Sequence, residues 1–227
     1  MYILGPRILR MALIALPVIG AVLLGAAPPL RAQVLVLEEA EQAPDPVTFT
    51  GRGNETTPEF PLVRGLTVVS FQHEGRGDFS VSLRRASLGT GYGALYSGED
   101  EVDGSTAFHL AISDEYELVV RARRDWRITV SQPRGDGSDD SEFAGPGPQA
   151  SPLLALRRGP HAFRLEHDGE GLFQAKLLDS SGFFVQYLIQ AVGPYDGITA
   201  IRLDDAGDFT LVVDAEPDAE WSIVKQY

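Results

Sequence analysis

The 227-residue sequence predicts an all-β protein: two tandem β-sandwich modules of jelly-roll-like build behind an N-terminal signal peptide. Three observations carry this. One pattern of glycines and apolar residues occurs twice at a single offset. Apolar residues alternate with the period of two that a strand requires. Turn signals return about every 8–12 residues, as they do between the short strands of a sandwich.

At the N-terminus, Arg7 and Arg10 precede the apolar run from Met11 to Ala27, and Pro28 and Pro29 end it before Leu30-Arg31-Ala32. A positive region, an apolar region and a small residue at the cut site make residues 1–32 a signal peptide; a retained anchor is the alternative. Pro17 interrupts the run and the proline pair stops it short of a full membrane span. Residues 33–44 read as an acidic spacer, in which VLVL is followed by EEAEQA. Pro44 and Pro46 isolate it from the module beyond, so it reads as a tether, with an edge strand built on VLVL as the alternative.

Removing residues 1–32 takes away three arginines and no acid, so the net charge moves from −13 to −16. A chain this acidic offers no basic face, which excludes nucleic acid and anionic lipid as partners. It predicts no membrane insertion once the signal is cut. With no cysteine, an exported chain has no disulfides, and each module must be held by its own core.

The repeat opens at FTGRGNETTPEFPLVRG (Phe49 to Gly65) and again at FAGPGPQASPLLALRRG (Phe143 to Gly159). Phe49/Phe143, Gly51/Gly145, Gly53/Gly147, Pro58/Pro152, Leu62/Leu156, Arg64/Arg158 and Gly65/Gly159 share the offset of 94. His73/His167, Phe79/Phe173 and Leu83/Leu177 extend it. So long a period is a duplicated domain, not a solenoid. It sets the first module at residues 45–133, a polar linker at 134–142 and the second module at 143–227.

Within each module seven or eight strands are expected. Val69 and Phe71 share a face, as do Phe79, Val81 and Leu83, then Tyr116, Leu118 and Val120; Phe163 and Leu165, then Phe173, Ala175 and Leu177, repeat the pattern. Between them HEGRGD, HDGEGL, VDGS and YDGI supply hairpin turns. Trp126 and Trp221 open the last strands. Lysine occurs only at Lys176 and Lys225, so exposed sheet edges must be guarded by arginine, proline and acids.

The stretches FPLVRGLTVVSFQ with YELVVRA, and LLALRRGPHAFRL with FTLVVDA, resemble pre-peptidase C-terminal domains. That resemblance implies a β-sandwich on a secreted bacterial protein, often an accessory to a protease, and it carries over no site residue.

Candidate chemistry is sparse. His73 and His167 recur at equivalent positions, each followed by an acid, and read as rim histidines bonded to turn backbone; a protonation switch or metal ligand is the sharper reading. The loop from Asp136 fails as an EF-hand, because Ser141 stands where glycine is needed and Gly147 where the bidentate acid is needed. A looser loop site for calcium stays open, and no other cofactor is expected. GTGYG (Gly89 to Gly93) lacks the dinucleotide spacing, and no nucleophile elbow, zinc-protease helix or phosphate loop occurs.

These readings lead to a secreted or periplasmic, non-catalytic binding or accessory protein, with a glycan, a peptide or an envelope protein as partner. A structural part of the envelope or surface layer is the runner-up, and a hydrolase the third. The copies differ most from Arg84 to Val102 against Leu178 to Tyr195. Tyr92 and Tyr96 are therefore expected on an exposed loop as the ligand contact, with Phe183, Phe184 and Tyr187 used for packing or association.

Overall fold

A computed structural model describes residues 44–226; the segment read as a signal peptide and all of the expected spacer but Pro44 lie outside the described residues. The first module contributes β1 (Val47–Arg52), β2 (Glu55–Thr56), β3 (Phe60–Leu62), β4 (Gly65–His73), β5 (Phe79–Arg85), β6 (Gly91–Gly98), β7 (Val102–Leu110), β8 (Asp114–Ala122) and β9 (Asp125–Ser131). The second repeats the series as β10 (Glu142–Pro146), β11 (Gln149–Ala150), β12 (Leu154–Leu156), β13 (Gly159–His167), β14 (Leu172–Asp179), β15 (Phe184–Val192), β16 (Tyr195–Leu203), β17 (Gly207–Asp214) and β18 (Glu220–Gln226). No helix occurs among the described residues.

The two modules share one topology. Sheet order is β1-β9-β4-β7 and β2-β8-β5-β6 in the first, and β10-β18-β13-β16 and β11-β17-β14-β15 in the second. β3 and β12 add to β8 and β17. The fold is thus two all-β sandwiches of nine strands, not seven or eight. The additional pieces are the short strands β2, β3, β11 and β12, where Pro58 and Pro152 interrupt pairing and hide the strand period from the sequence. Glu142, assigned to the linker from sequence, opens β10.

Alternation follows from burying one face. Phe79, Val81 and Leu83 of β5 lie against Tyr116, Leu118 and Val120 of β8 in one core; Phe173, Ala175 and Leu177 with Leu211 and Val213 form the other. The repeated residues do equivalent jobs. Trp126 Nε1 donates to Gly53 O at 3.0 Å, and Trp221 Nε1 to Gly147 O at 2.7 Å. Both glycines have positive φ, 74° and 62°, a conformation that costs a side-chain-bearing residue and explains their recurrence.

The modules join through a third cluster, in which Leu66 and Ala107 of the first meet Leu153, Leu178 and Val212 of the second. Around this seam Ser105 N donates to Pro148 O at 2.9 Å, Ala150 N to Ser105 Oγ at 2.8 Å, and Gln149 Nε2 to Asp103 O at 3.1 Å. The linker is held too. Arg134 donates to Leu66 O and Arg64 O, Gly137 N to Asp208 Oδ1, and Ser138 N to Leu153 O. At this seam the outer face of β4 and β7 sits on the outer face of β14 and β17.

Each core contains one of the chain's two tryptophans, so each module can be followed separately. Phe79→Ala is expected to lower the stability of the first module by about 3–5 kcal/mol, as truncation of a buried aromatic does. Urea unfolding read through Trp126 in a Trp221→Phe background will show it. The mirror experiment with Phe173→Ala and Trp221 should shift the second module by a similar amount.

Candidate functional site

Tyr92 and Tyr96 are not on a loop. They lie on β6, which pairs with β5 through Val81↔Tyr96, Ser82↔Ala94 and Arg84↔Gly91. Glycines at 91 and 93 make the stretch read as a loop; in the fold they allow two register shifts that turn both tyrosines inward. Tyr96 stacks on Phe71 with centroids 4.5 Å apart, and burial pushes its phenol up. Tyr92 lies 5.8 Å from Phe108, and its hydroxyl accepts a hydrogen bond from Ala111 N at 3.1 Å. Both are half-buried against the first core.

The histidines close the ends of the two cores. His73 is 1 % exposed and lies parallel to Phe79, with centroids 4.6 Å apart and planes 3° apart. His167 stacks on Phe173 in the same way, at 4.5 Å and 3°. The expected bond to turn backbone exists for His167, whose Nδ1–H donates to Gly193 O at 3.2 Å. It does not exist for His73, whose two nitrogens have no partner among the described residues. The ring stack carries the ring further into the core than a rim position would. No group of three or more histidine, aspartate or glutamate side chains among the described residues comes together as a metal site.

The aromatic surface lies instead on the second module. Phe184 and Tyr187 of β15 are 53 % and 43 % exposed, with ring centroids 4.8 Å apart and planes tilted by 54°. They pair across β14 with Leu178 and Lys176. Leu172 and Val192 continue the same outward row. No charged residue occurs from Phe184 to Val192. Of the nine large apolar residues exposed among the described residues, six are Leu172, Phe183, Phe184, Val185, Tyr187 and Val192.

The turn before β15 ties this surface to the first module. Asp179 Oδ1 accepts from Ser181 N and Phe183 N, both at 2.9 Å, and folds the chain tightly back. Gly182, at φ 85°, comes so close that a Cβ would lie 2.8 Å from Phe108 O. Phe183 then stacks on His109 at 3.7 Å, and His109 Nδ1–H donates to Ser181 O at 2.7 Å. Of the three second-module aromatics expected to pack or associate, Phe183 does so and the other two stay open. His109 escaped the sequence reading because the repeat places Arg202 at its position.

A separate polar cleft of about 650 Å³ opens on the first module, lined by Asn54, Asp78, Ser80, Ser97, Glu99 and Arg121. Its Asp78 is paired with Arg123 at 3.1 Å.

No protein-family model matches the chain, and no curated protein is significantly similar to it. Three solved structures align over most of it. The PBSX exported protein XepA is 9 % identical over 79 % of this chain and 85 % of its own, with a TM-score of 0.28. The CBM22 tandem domain of Xyn10C from Paenibacillus barcinonensis is 7 % identical over 83 % and 89 %, with a TM-score of 0.25. The stem and receptor-binding domain of a bacteriophage PM2 spike protein is 10 % identical over 83 % and 100 %, with a TM-score of 0.19. Scores of this size establish no common fold.

Two outcomes are expected from these placements. His73→Phe keeps the ring stack and removes two unpaired buried nitrogens, so it should raise stability by about 1 kcal/mol; a fall in the urea midpoint would show that the imidazole has a partner. Tyr92→Ala combined with Tyr96→Ala removes two core-packed rings and should cost the first module about 3 kcal/mol or more, read through Trp126.

Proposed function

We propose that the chain is an exported, non-catalytic binding or accessory protein whose contact surface is the outer face of β15. The observation that supports this is the row of Phe184, Tyr187, Leu172 and Val192 open to solvent. Its counterpart in the first module, β6, turns its tyrosines inward and exposes glycine, alanine and serine. One copy of the fold therefore hides its apolar side chains at this strand and the other displays them, which is how an interaction patch differs from a core. Export is supported by the apolar N-terminal segment behind Arg7 and Arg10.

The shape of the patch favours a protein segment as ligand. Rings tilted by 54° form a notch, which accepts an aliphatic side chain better than it lies flat on a sugar ring. β15 itself carries no charge, and Lys176, paired with Tyr187, sets a single cation beside the row. An envelope or extracellular protein offering an extended apolar stretch fits this, and a glycan is the alternative. A part in envelope or surface assembly is the second reading, supported by the open edge of β16.

Phe184→Ser with Tyr187→Ser should leave the unfolding midpoint within about 0.5 kcal/mol, as substitutions at exposed positions do. The same pair should abolish capture on a peptide array on which the unaltered protein binds apolar segments. Binding confined to a glycan array would select the sugar reading. Binding that survives the double substitution would remove β15 as the contact.

A further inference from the structure

The edges of the four sheets are managed in different ways. β2 and β11 are two residues long, and β6 and β15 carry register shifts that break a regular edge. β1 follows Pro46, and β10 ends on Pro146. β7, a regular nine-residue strand, is covered by the second module: Ser105 N–H reaches Pro148 O, and Asp103 O receives Gln149 Nε2. β16 is its counterpart in the second module. It pairs with β13 over nine residues without a shift, contains neither lysine nor proline, and has no strand on its other side among the described residues.

The register fixes which groups face that open side. Ser105 stands opposite Ser70 on β4, and the equivalent pair in the second module is Arg164 and Ile198. Because Ser105 N–H points away from β4, the backbone groups of Asp196, Ile198, Ala200 and Arg202 point away from β13. Ile198 is 62 % exposed, where its counterpart Ser105 is buried in the seam.

We infer that β16 is a dimerisation strand that pairs antiparallel with β16 of a second copy about a two-fold axis through Thr199. The strand is complementary to its own reverse. In that register Asp196 faces Arg202 of the second copy, Ile198 faces Ala200, and Thr199 faces Thr199. Opposite charges meet at both ends, and the large side chain meets the small one in the centre. The residues with outward backbone groups oppose each other, as hydrogen-bonded antiparallel pairs must, and about eight backbone bonds close. The same surface patch serves both copies, so the assembly stops at two. Asp196 is already 2.8 Å from Arg164, which leaves its second oxygen for the incoming guanidinium, while Arg164 also holds Glu166 at 2.8 Å.

Sedimentation equilibrium of the purified protein tests this. The unaltered protein should form a dimer. Arg202→Asp should weaken it at least tenfold by opposing two like-charged pairs. Asp196→Arg added to Arg202→Asp should restore it, because the swap rebuilds both pairs; circular dichroism checks that each variant is folded. Amide exchange at Ile198 and Ala200 should slow as concentration rises. A monomer at every concentration to about 100 µM, a dimer indifferent to Arg202→Asp, or exchange at these amides independent of concentration would overturn the inference.

Discussion

The seam between the modules, where Leu66 and Ala107 meet Leu153, Leu178 and Val212, decides which surfaces the molecule has left to offer. An antiparallel sandwich has two outward faces and open edges, and all of them carry some cost in water. At the seam one face from each module and the edge of β7 are covered together. The corresponding positions on the first module's free sheet have become polar, with Arg84 and Glu117 paired at 2.7 Å where the second module presents Leu178 and Thr210. The first module is therefore finished at its outer end. The second keeps an aromatic row and a regular edge in the open.

Much of this was readable in the chain. The offset of 94 identified the duplication, the period of two identified strands, and the glycine pairs Gly53/Gly147 and Gly65/Gly159 marked backbone positions that prove to have positive φ. Phe79/Phe173 and Trp126/Trp221 occupy equivalent places because a core asks only for volume and apolarity at fixed register.

What the sequence hid has physical causes. GYGALYSG looks like a loop because glycine is read as a breaker, yet in β6 glycine permits the bulges that turn Tyr92 and Tyr96 inward. The seam left no trace in the repeat, since an interface between copies breaks their equivalence. Ser105, Ala107 and His109 do their work through contacts that Ile198, Ala200 and Arg202 do not make. The surface on β15 was visible only as divergence, and divergence does not say which copy carries the function.

The order of strands within each sheet has a consequence for how the chain must fold. β9 lies between β1 and β4, and β18 lies between β10 and β13, so the last strand synthesised in each module is a central one. Until it arrives, β1 and β10 have no neighbour to bond to, and β4 and β13 are paired on one side only, with β7 and β16. The sheet that holds it cannot be completed strand by strand from the N-terminus; in each module that sheet closes only when the final strand enters between its neighbours. Losing residues 220–226 would accordingly not trim an edge but leave β10 detached and His167 and Ile223's neighbours open to water. A protease that nicks the C-terminal strand would take the whole second sandwich with it, and the first would survive with its seam exposed.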